Sequence, residues 1–348
     1  MKTLRRAVDN GYNHHKHAWL ENGEIKLMKY PAILGSSSEA MTDMSGGYSN
    51  MYETTSGERF VVDADVSKRI SLRTDDYATT EGNRVLVNHG LKATGVTPED
   101  EVMLVTSLPV RDFFNSDGSR NDELIAGQKQ SMLQPVRAVI NKTEDPKQVA
   151  NIVRSDVVSE AVAAAFDYLV PSVGKPANTL EAPLAVLDFG GSTFDVVTLT
   201  KDLRIRHSSS GTLARGTMDI VDPLKSLIKE RLNEMGANIK KVPNHMVTQA
   251  MEKGEIRVTL DDNNGKREPR SVPVQKLVLQ AAAETVSEIK AFVKQKVGDF
   301  HEYEAILLVG GGSLLCKELF QDWLDDMGHF VIMDEYANAR GMLKMVSI

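Results

Sequence analysis

The chain has 348 residues, of which 41% are hydrophobic and 26% charged, and a formal net charge of −7. That is a soluble globular composition, long enough for at least two domains, and its acidic balance argues against a general nucleic-acid-binding surface. Its one cysteine, Cys316, excludes a disulfide framework, no apolar run approaches the ~20 residues that span a bilayer, and the N-terminus has no secretory h-region, so the expected location is the cytoplasm.

Leu4–Val8 reads as a short strand running into Asp9-Asn10-Gly11-Tyr12-Asn13, a run of turn residues, after which the apolar pattern resumes at Ala18, Trp19 and Leu20. Lys16 follows closely. Residues 35–58 are rich in Gly, Ser and Thr and lack periodicity, as expected of an exposed loop or mobile insertion. Arg84–Gly95 reads as a helix ending at a glycine, Glu101–Leu108 as a buried strand stopped by Pro109, and Asn121–Leu133 as a helix. Asp145–Ile152 and the Ala-rich Asp156–Leu169 follow as further helices, and Pro171–Pro183 has the composition of a linker.

Leu184–Thr200 is the most informative stretch. Two apolar arms flank Asp188-Phe189-Gly190-Gly191-Ser192-Thr193, a hairpin whose glycines let backbone N–H groups approach a bulky anion. An acid beside such a turn would repel a bare phosphate, but it suits a hydrated Mg²⁺, which needs few protein carboxylates. An ordinary tight hairpin is the plainer alternative. The Asp9 turn has the same form about 180 residues earlier, which predicts two similar halves facing one ligand. Downstream, Ile205–Gly211 reads as a strand, Met218–Met235 as a helix, residues 239–275 as a charged, turn-rich surface subdomain, and Val274–Val297 as a long amphipathic helix. Ala305–Val309, Gly310-Gly311-Gly312 and Ser313–Leu324 read as strand, glycine loop and helix, where a flat ligand can lie on bare backbone.

This order of motifs resembles the actin/Hsp70/sugar-kinase ATPase superfamily, and EVMLVTSLPVRDFF at 101–114 narrows the likeness to the ParM (StbA) family of plasmid-segregating actin-like proteins. The resemblance implies an α/β, actin-like two-domain fold, with duplicated ribonuclease H-like halves and a nucleotide cleft between them. Domain I would be 1–165 plus about 328–348, with a subdomain at about 35–80; domain II would be 166–327, with a subdomain at about 217–275.

It also assigns roles. Asp9 and Asp188 would hold Mg²⁺ mainly through water, beside the β- and γ-phosphates of ATP or GTP. Gly11, Tyr12, Asn13, Gly190, Gly191, Ser192 and Thr193 would donate backbone N–H groups to phosphate, although Tyr12 stands where Ser or Thr is usual. Asn10, in place of a common acidic residue, belongs to the same turn. Lys16 would neutralise developing charge and Glu160 would orient the attacking water, while Gly310, Gly311 and Gly312 would pass under the adenosine. Thr212, Arg215 and Gly216 lie where the family runs near the ribose, without a motif of their own. The neighbouring His14, His15 and His17 do not read as a metal site, because strand alternation separates them and no acidic or Cys partner is spaced nearby. Cys316 reads as a small buried residue.

The expected function is a filament-forming ATPase whose copies join head to tail and reach plasmid DNA through a centromere-binding adaptor. It would bind neither DNA nor a membrane itself. A monomeric small-molecule kinase of the same fold is the alternative.

Overall fold

Thr3–Asn10 (β1) is the axis of the first sheet in the computed structural model, which describes residues 2–261, 267–298, 300–325 and 329–347. His14–Glu21 (β2) pairs antiparallel with β1, and Glu24–Pro31 (β3) antiparallel with β2. On the other side of β1, Glu101–Leu108 (β4) and then Asn151–Ser159 (β5) run parallel to it, giving the order β3-β2-β1-β4-β5.

The second sheet repeats that plan around Leu184–Phe189 (β6). Phe194–Leu199 (β7) and Gly211–Leu213 (β8) follow antiparallel, and Ala305–Val309 (β9) and Phe330–Ile332 (β10) lie parallel on the far side, in the order β8-β7-β6-β9-β10. The two halves therefore share one connectivity, as the repeated Asp-x-Gly turn predicts.

Alternation of side chains along the strands decides what packs where. Helices Glu81–Ala93 (α1) and Asp122–Leu133 (α2) cover the outer face of the first sheet, where Val8 joins Val85, Leu86 and Met132. Glu160–Leu169 (α3) lies between the sheets. Val221–Glu234 (α4), Asn244–Lys253 (α5) and Gln275–Val297 (α6) share the core on the outer face of the second sheet, against Ala185, Leu187 and Phe189. Gly311–Leu315 (α7) follows β9, and Ala337–Met345 (α8) returns to the middle layer beside α3. Both faces of the second sheet are thus covered, which is why β6 and β7 are buried throughout.

The middle layer joins the halves. Ala161, Ala164 and Ala165 of α3 pack on Leu184, Val186 and Leu307 of the second sheet, whereas Ala163 packs with Ala7, Ala18 and Val105 of the first. The helices cross so closely that a Cβ on Gly341 of α8 would lie 1.7 Å from the Ala163 carbonyl oxygen. Asp167 on α3 fastens the crossing, pairing with Arg340 at 2.6 Å and Lys344 at 2.8 Å from α8.

Several expectations need correction. Asp156–Ser159 belongs to β5, and the helix starts only at Glu160: parallel pairing with β4 overrides the helical propensity of the alanine-rich sequence that follows. Asp145–Ile152 is not a helix either, since Lys147–Gln148 and the start of β5 are strands. Residues 35–58 are not simply loop: Gly35–Ser36, Met51–Glu53 and Arg59–Val61 form a small sheet with Arg137–Ala138 and Lys147–Gln148, an arm over the first half. Ile205 makes only an isolated bridge to Leu199, and the strand begins at Gly211. Phe330–Ile332, expected within the first half, extends the second sheet. The 239–275 region holds α5 and a hairpin of Glu255–Asp261 with Arg267–Pro273, a second arm, while its turn-rich 262–266 lies outside the described residues. Cys316 is buried, and burial pushes its thiol up to about 12.

Candidate functional site

Strand register brings the charged residues together. Asp9 is the next-to-last residue of β1, opposite Lys16 on β2, and Asp188 occupies the matching place on β6 opposite Asp195 on β7. In each hairpin the partner follows its acid by seven residues. The duplication thus carries a lysine in one half and an acid in the other.

Both acids open into one cleft between the sheets. Its lining includes Asp9 to Asn13, Lys16, Glu160, Asp188, Gly190 to Thr193, and Gly310 to Gly312, all expected there from the phosphate, water-orienting and adenosine motifs. The two turns touch across it, since a Cβ on Gly191 would lie 2.9 Å from that of Asn13.

Lys16 Nζ donates to Asp9 Oδ2 at 2.9 Å. Burial alone would lower the Lys16 ammonium, but Asp9, then Asp188 and Glu335, outweigh it and raise it, so Lys16 stays a cation. Glu160 opens α3 and accepts a hydrogen bond from Ser107 Oγ at 3.3 Å. Burial, followed by the charges of Asp9, Asp188 and Asp195, holds its carboxyl well above the usual range. Asp188 is raised by burial against a hydrogen bond from Asn338 Nδ2 at 2.8 Å. Asp195 is pushed up to about 7, again by burial first, despite hydrogen bonds from Thr212 and Thr193. Like-charged acids share a dry site, and binding of positive charge there would relieve them.

The glycine loop divides its labour. Gly310 has φ 85°, and a Cβ there would lie 2.4 Å from the Phe189 carbonyl oxygen; at Gly312 it would lie 2.4 Å from the Phe189 ring. Both are required by packing on β6. Gly311 has nothing within 4 Å and offers bare backbone to open space. Asn10 points into the protein: its Oδ1 accepts from the Ser107 N–H at 3.0 Å, tying β1 to β4.

Of the residues expected near a ribose, Thr212 hydrogen-bonds Asp195 and Arg215 pairs with Glu288 at 2.5 Å. Gly216 lies under Gly191, and the next two N–H groups donate to the Gly190 and Gly191 carbonyls at 3.1 and 2.9 Å. Thr217, not these three, lines the cleft. His14 lines it too, whereas His15 and His17 are fully buried, with His15 Nε2 2.8 Å from the Tyr77 hydroxyl.

Sequence reasoning missed three contributors. Asp195 had a readable signal, the spacing it shares with Lys16. Asn338 had none, being 150 residues from Asp188. Arg73, from the first arm, donates to the Ser192 carbonyl at 3.0 Å and pairs with Asp219 at 3.3 Å, closing over the second turn.

Among the described residues, no group of three or more His, Cys, Asp or Glu side chains is placed to hold a metal ion directly. Mg²⁺ needs no such cage, because it keeps most of its waters and takes one or two carboxylates with the substrate's phosphates. Asp9, Asp188 and the buried, unpartnered Asn338 Oδ1 are acceptors suited to those waters. The residues fit the group.

Residues 4–170 match the family model of plasmid segregation protein ParM, N-terminal, and residues 186–322 that of archaeal actin homologue MreB-like, C-terminal. No curated protein matches the chain in sequence. Among solved structures, an archaeal actin homologue (Ta0583) in complex with ADP is similar at TM-score 0.71 and 16% identity, with 99% of each chain covered. A 15-stranded ParM filament from Clostridium botulinum is similar at 0.66 and 17%, again over 99% of each chain. Bacillus thuringiensis ParM with ATP is similar at 0.64 and 17%, covering 100% of this chain and 98% of that one. These identities carry the fold. Among the described residues, no helix is long and apolar enough to cross a membrane.

Proposed function

Because the chain belongs to the ParM-type actin-like proteins, we propose that it is a Mg²⁺-dependent nucleoside triphosphatase that assembles head to tail into filaments. The observation that carries this reading is the meeting of Asp9 and Asp188, from equivalent places in two halves of one plan, in a single cleft with Lys16 and Glu160.

Asp9 and Asp188 would hold the hydrated cation through its waters, and when bound it would supply positive charge beside the phosphates. The N–H groups of Gly11 to Asn13 and Gly190 to Thr193 receive the phosphate oxygens, Gly311 gives backbone to the nucleoside, and Lys16 stabilises charge on the departing phosphate. Glu160 accepts a hydrogen bond from the attacking water and orients it. The two sheets, each with its outer helices, move as two bodies about the α3–α8 crossing. Closure of the cleft then alters the surfaces that meet the next copy, and such heterologous contacts grow filaments.

The ParM filament from Clostridium botulinum supports the same use of this fold. ATP is the first expected substrate, with GTP tested beside it. The family likeness supports a role in plasmid segregation in the bacterial cytoplasm, through an adaptor protein that reads the DNA.

Sedimentation with Mg-ATP, Mg-GTP or no nucleotide, with phosphate release followed in parallel, tests the proposal. Nucleotide-dependent pelleting above a critical concentration is expected. Hydrolysis without pelleting across salt and crowding conditions would favour the monomeric kinase, and absence of both activities would refute the nucleotide site.

A further inference from the structure

Asp188 is tied to the middle layer by one side chain. Asn338 is the second residue of α8, 5% exposed, and its Nδ2 donates to Asp188 Oδ2 at 2.8 Å. Its Oδ1 is buried and has no hydrogen-bond partner. An ionised carboxylate only accepts, so the amide nitrogen must face Asp188 and the oxygen is left over. Leaving such an oxygen unsatisfied is costly unless something donates to it.

No protein donor reaches it as the side chains are placed, and the Lys16 ammonium is turned to Asp9. The water shell of a divalent cation is a ready source of donors, because metal-bound water presents its hydrogens outward. Resting on the nucleotide-site reading above, we propose that Asn338 is a positioning residue for the site's divalent cation. Its NH₂ fixes the Asp188 carboxylate, and its carbonyl oxygen accepts a hydrogen bond from the cation's water shell.

The placement has a reach beyond the site. Asn338 precedes Arg340, Gly341 and Lys344, which pin α8 to α3, and α3 begins at Glu160. Cation loading is therefore registered on the helix pair that carries Glu160 and joins the two sheets.

The test titrates Mn²⁺, as a paramagnetic probe, into native protein, Asn338→Leu and Asn338→Asp, each saturated with ADP, with ADP affinity measured separately in EDTA. Asn338→Leu keeps the volume and removes both hydrogen bonds. It should weaken Mn²⁺ binding about 10- to 100-fold while metal-free ADP affinity stays within about twofold. Asn338→Asp keeps an acceptor and adds charge. It should hold Mn²⁺ at pH 8 at least as well as native protein.

Equal Mn²⁺ affinity in native protein and a folded Asn338→Leu overturns the proposal. Equal loss in both variants at pH 8 does so too, since that marks a merely structural role. Should the leucine variant fail to fold, the Mn²⁺ affinity of Asn338→Asp at pH 8 decides alone, and a loss of about tenfold or more there overturns the proposal. A native protein that binds ADP and Mn²⁺ not at all would overturn the nucleotide reading itself, an outcome distinct from these.

Discussion

Burial of neutral histidine makes a quantitative prediction at His17. The ring is fully buried, neither nitrogen has a hydrogen-bond partner, and burial, followed by His89 and Arg6, lowers its pKa from 6.5 to about 3. A folded value below the unfolded one means that the unfolded chain binds a proton the folded chain refuses. This contribution to stability is complete above pH 6.5 and declines as pH falls, until the folded value near 3 is reached.

At pH 5 the proton taken up by the unfolded chain is worth 1.36 kcal/mol for each of the 1.5 pH units below 6.5, or about 2 kcal/mol. His17→Leu removes the titration and two unpartnered nitrogens. The stability of this variant relative to native protein should therefore rise by about 2 kcal/mol between pH 7.5 and pH 5. Urea denaturation without nucleotide, at both pH values, reads the difference directly. A stability gap that does not change with pH would refute the argument, whatever its sign. The comparison is needed because the native protein mixes opposing terms: His14 and His89, each lowered to about 4, act like His17, whereas Asp195, raised to about 7, gains protons on folding and opposes them.

Three further perturbations bear on the site and its support. Asp188→Ala should abolish Mg-dependent phosphate release, and near-normal turnover would sink the cleft model. Glu160→Gln should leave nucleotide affinity within a few-fold and slow hydrolysis by about 10²–10⁴, so that any filaments persist longer in sedimentation. Loss of binding instead would give Glu160 a structural role. Gly341→Ala must push α8 off the Ala163 carbonyl, an overpacking that should cost at least about 1–3 kcal/mol, seen as a lowered melting temperature; an unchanged midpoint would mean that the crossing gives way freely.

The site was largely legible because its parts are local. Asp9 to Lys16, Asp188 to Asp195 and Gly310 to Gly312 are each short strand–turn units with turn chemistry written into consecutive residues. What failed was non-local or too brief. β5 gains its strand character from pairing with β4, more than forty residues away, and an alanine-rich sequence next to it pointed the other way. The arm over the first half is built from strands of two or three residues, too short to show a period of two. Gly310 and Gly312 look like ligand-binding glycines in sequence, yet Phe189 is what requires them. Asn338 answers to an acid on another sheet, and no window along the chain contains both.

The lysine and the acid at matched places in the two hairpins have one more consequence. A strictly repeated pocket would be blind to direction and would accept a polyphosphate equally well either way round. With Lys16 beside Asp9 and Asp195 beside Asp188, one side holds an ion pair and the other only acids, and the cleft acquires a front and a back. Backbone repetition builds the container, and a single unmatched pair of side chains gives its contents an orientation.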